Sequence, residues 1–158
     1  RFGFVSNSED LDAPEPLDSS DDPVSFDDLQ RLKATFENSR WADQIPVDVE
    51  CEIQVTIGSN TFICKIDAVF ETATGYEIVD WKTGRAPDLN DEADMFERSL
   101  QLALYRMAYA RYRQIPEQNI EVCLYFVDSD LEIKPNLVLN EAELVSLWQT
   151  TVARATVD

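Results

Sequence analysis

A chain of 158 residues with 44% hydrophobic content can bury one proper core and is too short to be expected to hold a second domain of similar size. No run approaches the length needed to cross a bilayer, and Arg1-Phe2-Gly3-Phe4 lacks the apolar core of a secretory signal, so a cytoplasmic protein is expected. The net charge of -18 argues against a domain that grips nucleic acid unaided, because phosphate contacts normally come from lysine and arginine.

That charge is unevenly spread. Residues 1–28 hold nine acids against the single Arg1, together with Pro14, Pro16 and Pro23 and several serines, the composition of a solvated segment. The expected division is an acidic linker or flexible segment over 1–24 and one domain over 25–158. Within 80–113, six cations (Lys82, Arg85, Arg98, Arg106, Arg111 and Arg113) match six acids, so this stretch is far less one-sided.

Phe26, Leu29, Leu32 and Phe36 follow helical spacing behind Ser25, a residue suited to cap the start, which predicts a helix over Phe26–Asn38. From Val47 to Ile57, apolar and polar residues alternate, the period of a half-buried strand with Glu50 and Glu52 on its polar face. Gly58-Ser59-Asn60 turns the chain into a second strand, Thr61–Phe70. A hairpin through Thr72-Ala73-Thr74-Gly75 leads to a third, Tyr76–Lys82. Asp80 and Lys82, two apart, then share one face of that third strand, and Trp81 points the other way into the core. Asp67 sits near the end of the preceding strand, so two carboxylates and an amine can meet over one small volume.

The apolar stripe Leu100, Ala103, Leu104, Met107 and Ala108 predicts a helix near 93–113, on which Gln101 and Tyr105 lie four apart and reach a common neighbour. Strands follow over Ile120–Val127 and Leu131–Leu139, the second placed at a sheet edge because of Pro135. A closing helix begins near Asn140 and runs through Leu144, Leu147, Trp148 and Val152. A helix between the third and fourth strands permits a parallel crossover, so the expected class is α/β, a mixed central sheet flanked by helices. Cys51, Cys64 and Cys123 are widely spaced in strand-like runs and read as buried free thiols, with no iron–sulfur cluster. No glycine-rich phosphate loop is present, so ATP hydrolysis is not expected from these residues.

Asp67, then Asp80-Trp81-Lys82, then Gln101-Leu102-Ala103-Leu104-Tyr105 resemble, in order and spacing, the metal carboxylate, the acid-x-lysine element and the Gln-x-x-x-Tyr motif of RecB-like PD-(D/E)xK nucleases. With Ser39-Arg40-Trp41-Ala42 and Val49-Glu50, the wider text resembles the nuclease-like C-terminal domain of bacterial UvrD-type ATP-dependent DNA helicases. The resemblance implies a restriction-endonuclease-like core and metal-dependent hydrolysis of DNA phosphodiesters in repair or recombination. Asp67, Asp80 and the main-chain carbonyl of Trp81 would hold Mg²⁺ or Mn²⁺. Lys82 would orient the attacking water, and Gln101 and Tyr105 would position the reacting groups. The DNA partner would be single-stranded and delivered by a motor in the same polypeptide. Such nucleases usually add a histidine or glutamate from a helix upstream, and this chain has no histidine. Arg1-Phe2-Gly3 resembles text that follows that helix, which implies a fragment cut just downstream and weak or absent activity in it alone. A catalytically inactive clamp or partner-docking module of the helicase is the alternative, and an acidic interaction domain unrelated to DNA a third.

Overall fold

The computed structural model describes residues 2–5, 25–135 and 139–155. Its elements are β1 (Phe2–Val5), α1 (Phe26–Glu37), β2 (Asp48–Ile57), β3 (Asn60–Glu71), β4 (Tyr76–Lys82), α2 (Glu92–Arg113), β5 (Ile120–Phe126), β6 (Leu131–Ile133) and α3 (Glu141–Ala155). The expected mixed α/β sheet flanked by helices is what the chain forms. No helix among the described residues is long and apolar enough to cross a membrane.

The long strand β3 organises the sheet. One of its edges pairs antiparallel with β2, from Asp48↔Val69 to Ile57↔Asn60. The opposite edge is shared: β1 pairs with Thr61–Cys64, and β4 pairs with Ala68–Glu71. Between these partners, Lys65, Ile66 and Asp67 have no strand beside them on that edge among the described residues. β5 lies parallel to β4 from Tyr76↔Ile120 to Lys82↔Phe126, reached through α2, and β6 returns antiparallel.

Two apolar layers cover the sheet. Ile53, Val55, Phe62, Cys64, Ile66, Ile78, Val122 and Leu124 pack beneath α2, with Leu139 and Leu144 at the same core. On the other face Trp41, Ala68, Phe70, Val79, Cys123, Tyr125 and Val127 are buried, with Leu32 and Phe36 of α1 resting on them. Ser25 caps α1 by accepting from the amide of Asp28 at 3.1 Å, as its sequence position suggests. Asn140 caps α3 reciprocally: its side chain accepts from the Glu143 amide at 3.0 Å, and Glu143 accepts from the Asn140 amide at 2.8 Å. The side chains of Trp148 and Val152, expected on the apolar stripe of α3, lie outside the described residues.

Several expectations need correction. The segment 1–24 is not wholly a linker, because Phe2–Val5 supply backbone pairing to the exposed edge of β3. The acidic residues 6–24 lie outside the described residues. β6 spans Leu131–Ile133, with Lys134 and Pro135 outside it, as suits a residue that has no amide to donate to a ladder; 136–138 of the expected strand lie outside the described residues. Cys64 and Cys123 are buried free thiols, whereas Cys51 is only half-buried. The even alternation expected from Val47 to Ile57 also fails at one point. Glu50 adopts a left-handed backbone conformation with φ 49°, and the strand changes face there. Cys51 and Ile53 point to the α2 layer, while Val49 lies 61% exposed toward the α1 side.

Candidate active site

The change of face at Glu50 has a counterpart directly across the ladder. On β3, Phe62, Cys64 and Ile66 face α2, yet Ala68 and Phe70 face α1. Asp67 is the residue at which β3 switches, and it lies opposite Glu50 in the register that holds on both sides. The antiparallel ladder between β3 and β4 reaches only as far as Ala68↔Val79. One step further, where Asp67 and Asp80 stand opposite, the strands part. The amide of Trp81 donates instead to Asp67 Oδ2 at 2.9 Å.

Asp80 and Lys82 do share one face, the one beneath α2, as the two-residue period of a strand requires. Asp80 is 2% exposed. Lys82 Nζ stands 2.6 Å from Asp80 Oδ2, a charge contact without the angles of a hydrogen bond, so that buried oxygen has no hydrogen-bond partner among the described residues. Burial, and then the neighbouring Asp80 carboxylate, push Asp67 up to about 6, against the opposing amide of Trp81 and the charge of Lys82. Two acids and an amine therefore converge at the carboxyl end of β4.

The long helix α2 packs on this same face of the sheet. Gln101 Nε2 donates to Tyr105 Oη at 3.0 Å. Tyr105 is fully buried in the core rather than beside it. Burial holds its phenol far above the ordinary value, the Gln101 hydrogen bond opposes that, and the charges of Asp80 and Asp67 reinforce it. Asp67, Asp80 and Lys82 thus converge, while the Gln101–Tyr105 pair stands on α2 with Tyr105 near enough to feel the charges of the two acids. Among the described residues, no group of three or more histidine, cysteine or acidic side chains is placed to hold a metal ion.

Behind the site lies a framework of which only Trp81, expected to face the core, was legible in sequence. Trp81 packs edge-on against Phe36 and Trp41 at centroid distances of 5.3 and 5.4 Å, which fixes β4 from the α1 side. Glu77, 3% exposed, accepts from Arg40 at 2.6 and 2.8 Å and from the Trp41 indole at 3.1 Å. Burial alone would raise its pKa, but these bonds overcome that and hold the carboxyl below its usual range. Arg40-Trp41 and Glu77 carried no signal of this in sequence, since the partners are thirty-odd residues apart. At the hairpin, Thr72 Oγ1 accepts from the Gly75 amide at 3.1 Å, and a Cβ on Gly75 would run into the carbonyl of Asn119.

With this geometry in place, the chain can be compared with known proteins. A search of curated proteins finds no match. Among solved structures, the one described as "Crystal structure of SSO0001" is similar, with 16% identity, a TM-score of 0.46 and coverage of 80% of this chain. The match spans 56% of that chain's length. The family model described as the PD-(D/E)XK nuclease superfamily matches residues 14–157, which include both acids, the lysine and the Gln101/Tyr105 pair. The chain belongs to the PD-(D/E)XK nuclease superfamily.

Proposed function

We propose that this chain is the RecB-like nuclease domain of a longer, cytoplasmic ATP-dependent DNA helicase, and that it hydrolyses DNA phosphodiesters with Mg²⁺ or Mn²⁺. The observation that carries this reading is the convergence of Asp67 and Asp80 at a parted pair of strands, with Lys82 2.6 Å from Asp80. Crowding two carboxylates in a partly buried place is unfavourable unless positive charge joins them, and Asp67 records that cost in its raised pKa. The donor set is oxygen, as hard divalent ions require.

Asp67, Asp80 and the carbonyl of Trp81 would hold the ion, which when bound would polarise the phosphoryl oxygen and lower the pKa of its water. Lys82, 30% exposed, is reachable from solvent while anchored by Asp80. It would orient the attacking water and offset charge growing on the phosphorus oxygens. Tyr105 and Gln101 brace that end of β4 from α2. The acidity of the chain, -18 overall, supports dependence on a motor in the same polypeptide to deliver single-stranded DNA.

A second reading draws on the count of acids. Only two carboxylates gather among the described residues, and a shell this sparse suits a nuclease-like module that clamps DNA or docks a partner without cutting. One experiment separates the two. The chain, alone and within its helicase, is incubated with labelled single-stranded DNA and Mg²⁺ or Mn²⁺, beside Asp80→Ala and Lys82→Ala. The nuclease reading expects cutting that both substitutions stop. No cutting under either metal in either context would leave the clamp.

A further inference from the structure

We propose that Arg98, outside the three motif elements, is a substrate-binding residue that holds a DNA backbone phosphate beside Lys82. The assignment rests on the nuclease reading above and deepens it.

Arg98 lies in the first half of α2, one turn before Gln101. Because α2 crosses from the end of β4 to the start of β5, its first half lies over the carboxyl ends of those strands. The guanidinium of Arg98 is 5.5 Å from the ring centroid of Phe126. Phe126 is the residue in register with Lys82 across the parallel ladder, on the same face. Two cations of separate elements therefore stand at the carboxyl ends of β4 and β5, Lys82 against Asp80 and Arg98 over the residue in register with Lys82.

Of the arginines held by protein partners, this one is set apart by how it is used; Arg85, exposed in the loop after β4, makes no hydrogen bond or ion pair among the described residues and is not pre-ordered. Arg31, Arg40, Arg111 and Arg113 each spend two or more nitrogens on protein acceptors. Arg98 spends one: Nε donates to Asp94 Oδ2 at 2.8 Å. Its Nη1 and Nη2 have no acceptor among the described residues. Arg106 is the other arginine bound through Nε alone, to the carbonyl of Glu117, at the far end of α2 from Lys82. A side chain held at Nε by a carboxylate and steadied by an aromatic ring presents a pre-set fork of donors, the geometry that matches phosphate oxygens. At 28% exposed, that fork is partly desolvated, which strengthens its hold on an anion.

The test is the affinity of the full chain for a fluorescein-labelled single-stranded oligonucleotide, by anisotropy in Ca²⁺ over a series of salt concentrations. Arg98→Met keeps an aliphatic stem over Phe126 and removes the charge. It is expected to weaken binding roughly tenfold and to lower the salt slope by about one, with the melting temperature unchanged. Arg98→Lys should recover part of the affinity, which a purely packing role would not predict. Full affinity in Arg98→Met, while the unmodified chain binds and cuts, overturns the assignment and leaves the nuclease reading standing. Arg98-dependent binding without cutting by the unmodified chain does the reverse. No binding by the unmodified chain, either alone or within its helicase, overturns both.

Discussion

Asp67 Oδ2 takes the amide hydrogen of Trp81 at 2.9 Å, so a side chain on β3 occupies the position in which a backbone carbonyl would continue the ladder. This single substitution of partner ends the β3–β4 pairing and frees the strands to part. It also places the Asp67 carboxylate against Asp80. The site is therefore a consequence of how the sheet terminates, and the two acids are brought together by the same bond that satisfies the separated strand.

The raised pKa of Asp67 makes stability depend on pH in a specified direction. An ordinary unfolded carboxyl near 3.8 is lifted to about 6 by folding, so the native state binds the proton more tightly. Its contribution to stability is fully present below the unfolded value and is lost as pH rises through about 6. Asp67→Asn should stabilise the chain above pH 7 by on the order of 1–2 kcal/mol, allowing for partial exposure. Chemical denaturation across the pH range should show the gain vanish below the unfolded pKa; a pH-independent gain would contradict the burial of Asp67 beside a second acid.

Glu77 ties α1's neighbour Arg40-Trp41 to the strand that carries Asp80 and Lys82. Glu77→Ala leaves the buried Trp41 indole N–H without its acceptor and takes one of two carboxylates from Arg40, which keeps Glu132, and should cost about 1–3 kcal/mol in denaturant unfolding. Glu77→Gln retains an acceptor and should cost less.

Gly75→Ala meets backbone, not a flexible side chain, at the Asn119 carbonyl. The hairpin and the start of β5 must separate to admit a methyl group, so a loss of about 2–4 kcal/mol is expected by thermal or denaturant melting. Gly58→Ala provides a contrast, since a Cβ there meets nothing within 4 Å and only its φ of 62° is strained.

Tyr105→Phe removes the oxygen that accepts from Gln101 while keeping the ring in the core. Where the chain cuts DNA, turnover should fall roughly ten- to a hundredfold with KM little changed, and stability should move by about 1 kcal/mol. A proportionate loss of folding instead would assign the pair to structure alone.

The fold was legible where periodicity decides. The two-residue period of Ile78, Asp80 and Lys82 correctly places the acid and lysine on one face, and the apolar stripe of α2 fixes the crossover that makes β5 parallel. The hairpin at Thr72–Gly75 follows from its turn residues. Less was legible where tertiary contact decides. Nothing local marks Glu50 as left-handed or Asp67 as the residue where β3 turns over, because each conformation is set by the strand opposite. Nor could composition reveal that Phe2–Val5 would join the sheet, since an acidic stretch follows them and the vacant edge of β3 that they fill is visible only once β4 departs. Arg40-Trp41 stands out in sequence only as part of a resemblance, and Glu77 not at all; the three acquire a structural role only through contact with one another.

The central claim is that Asp67 and Asp80 jointly hold a divalent cation. Anomalous diffraction from crystals grown with Mn²⁺ tests it most directly. The account predicts one peak within bonding distance of both carboxylates, lost in Asp80→Ala. A map with no peak there at saturating Mn²⁺, or with the ion bound elsewhere while DNA is still cut, would contradict it.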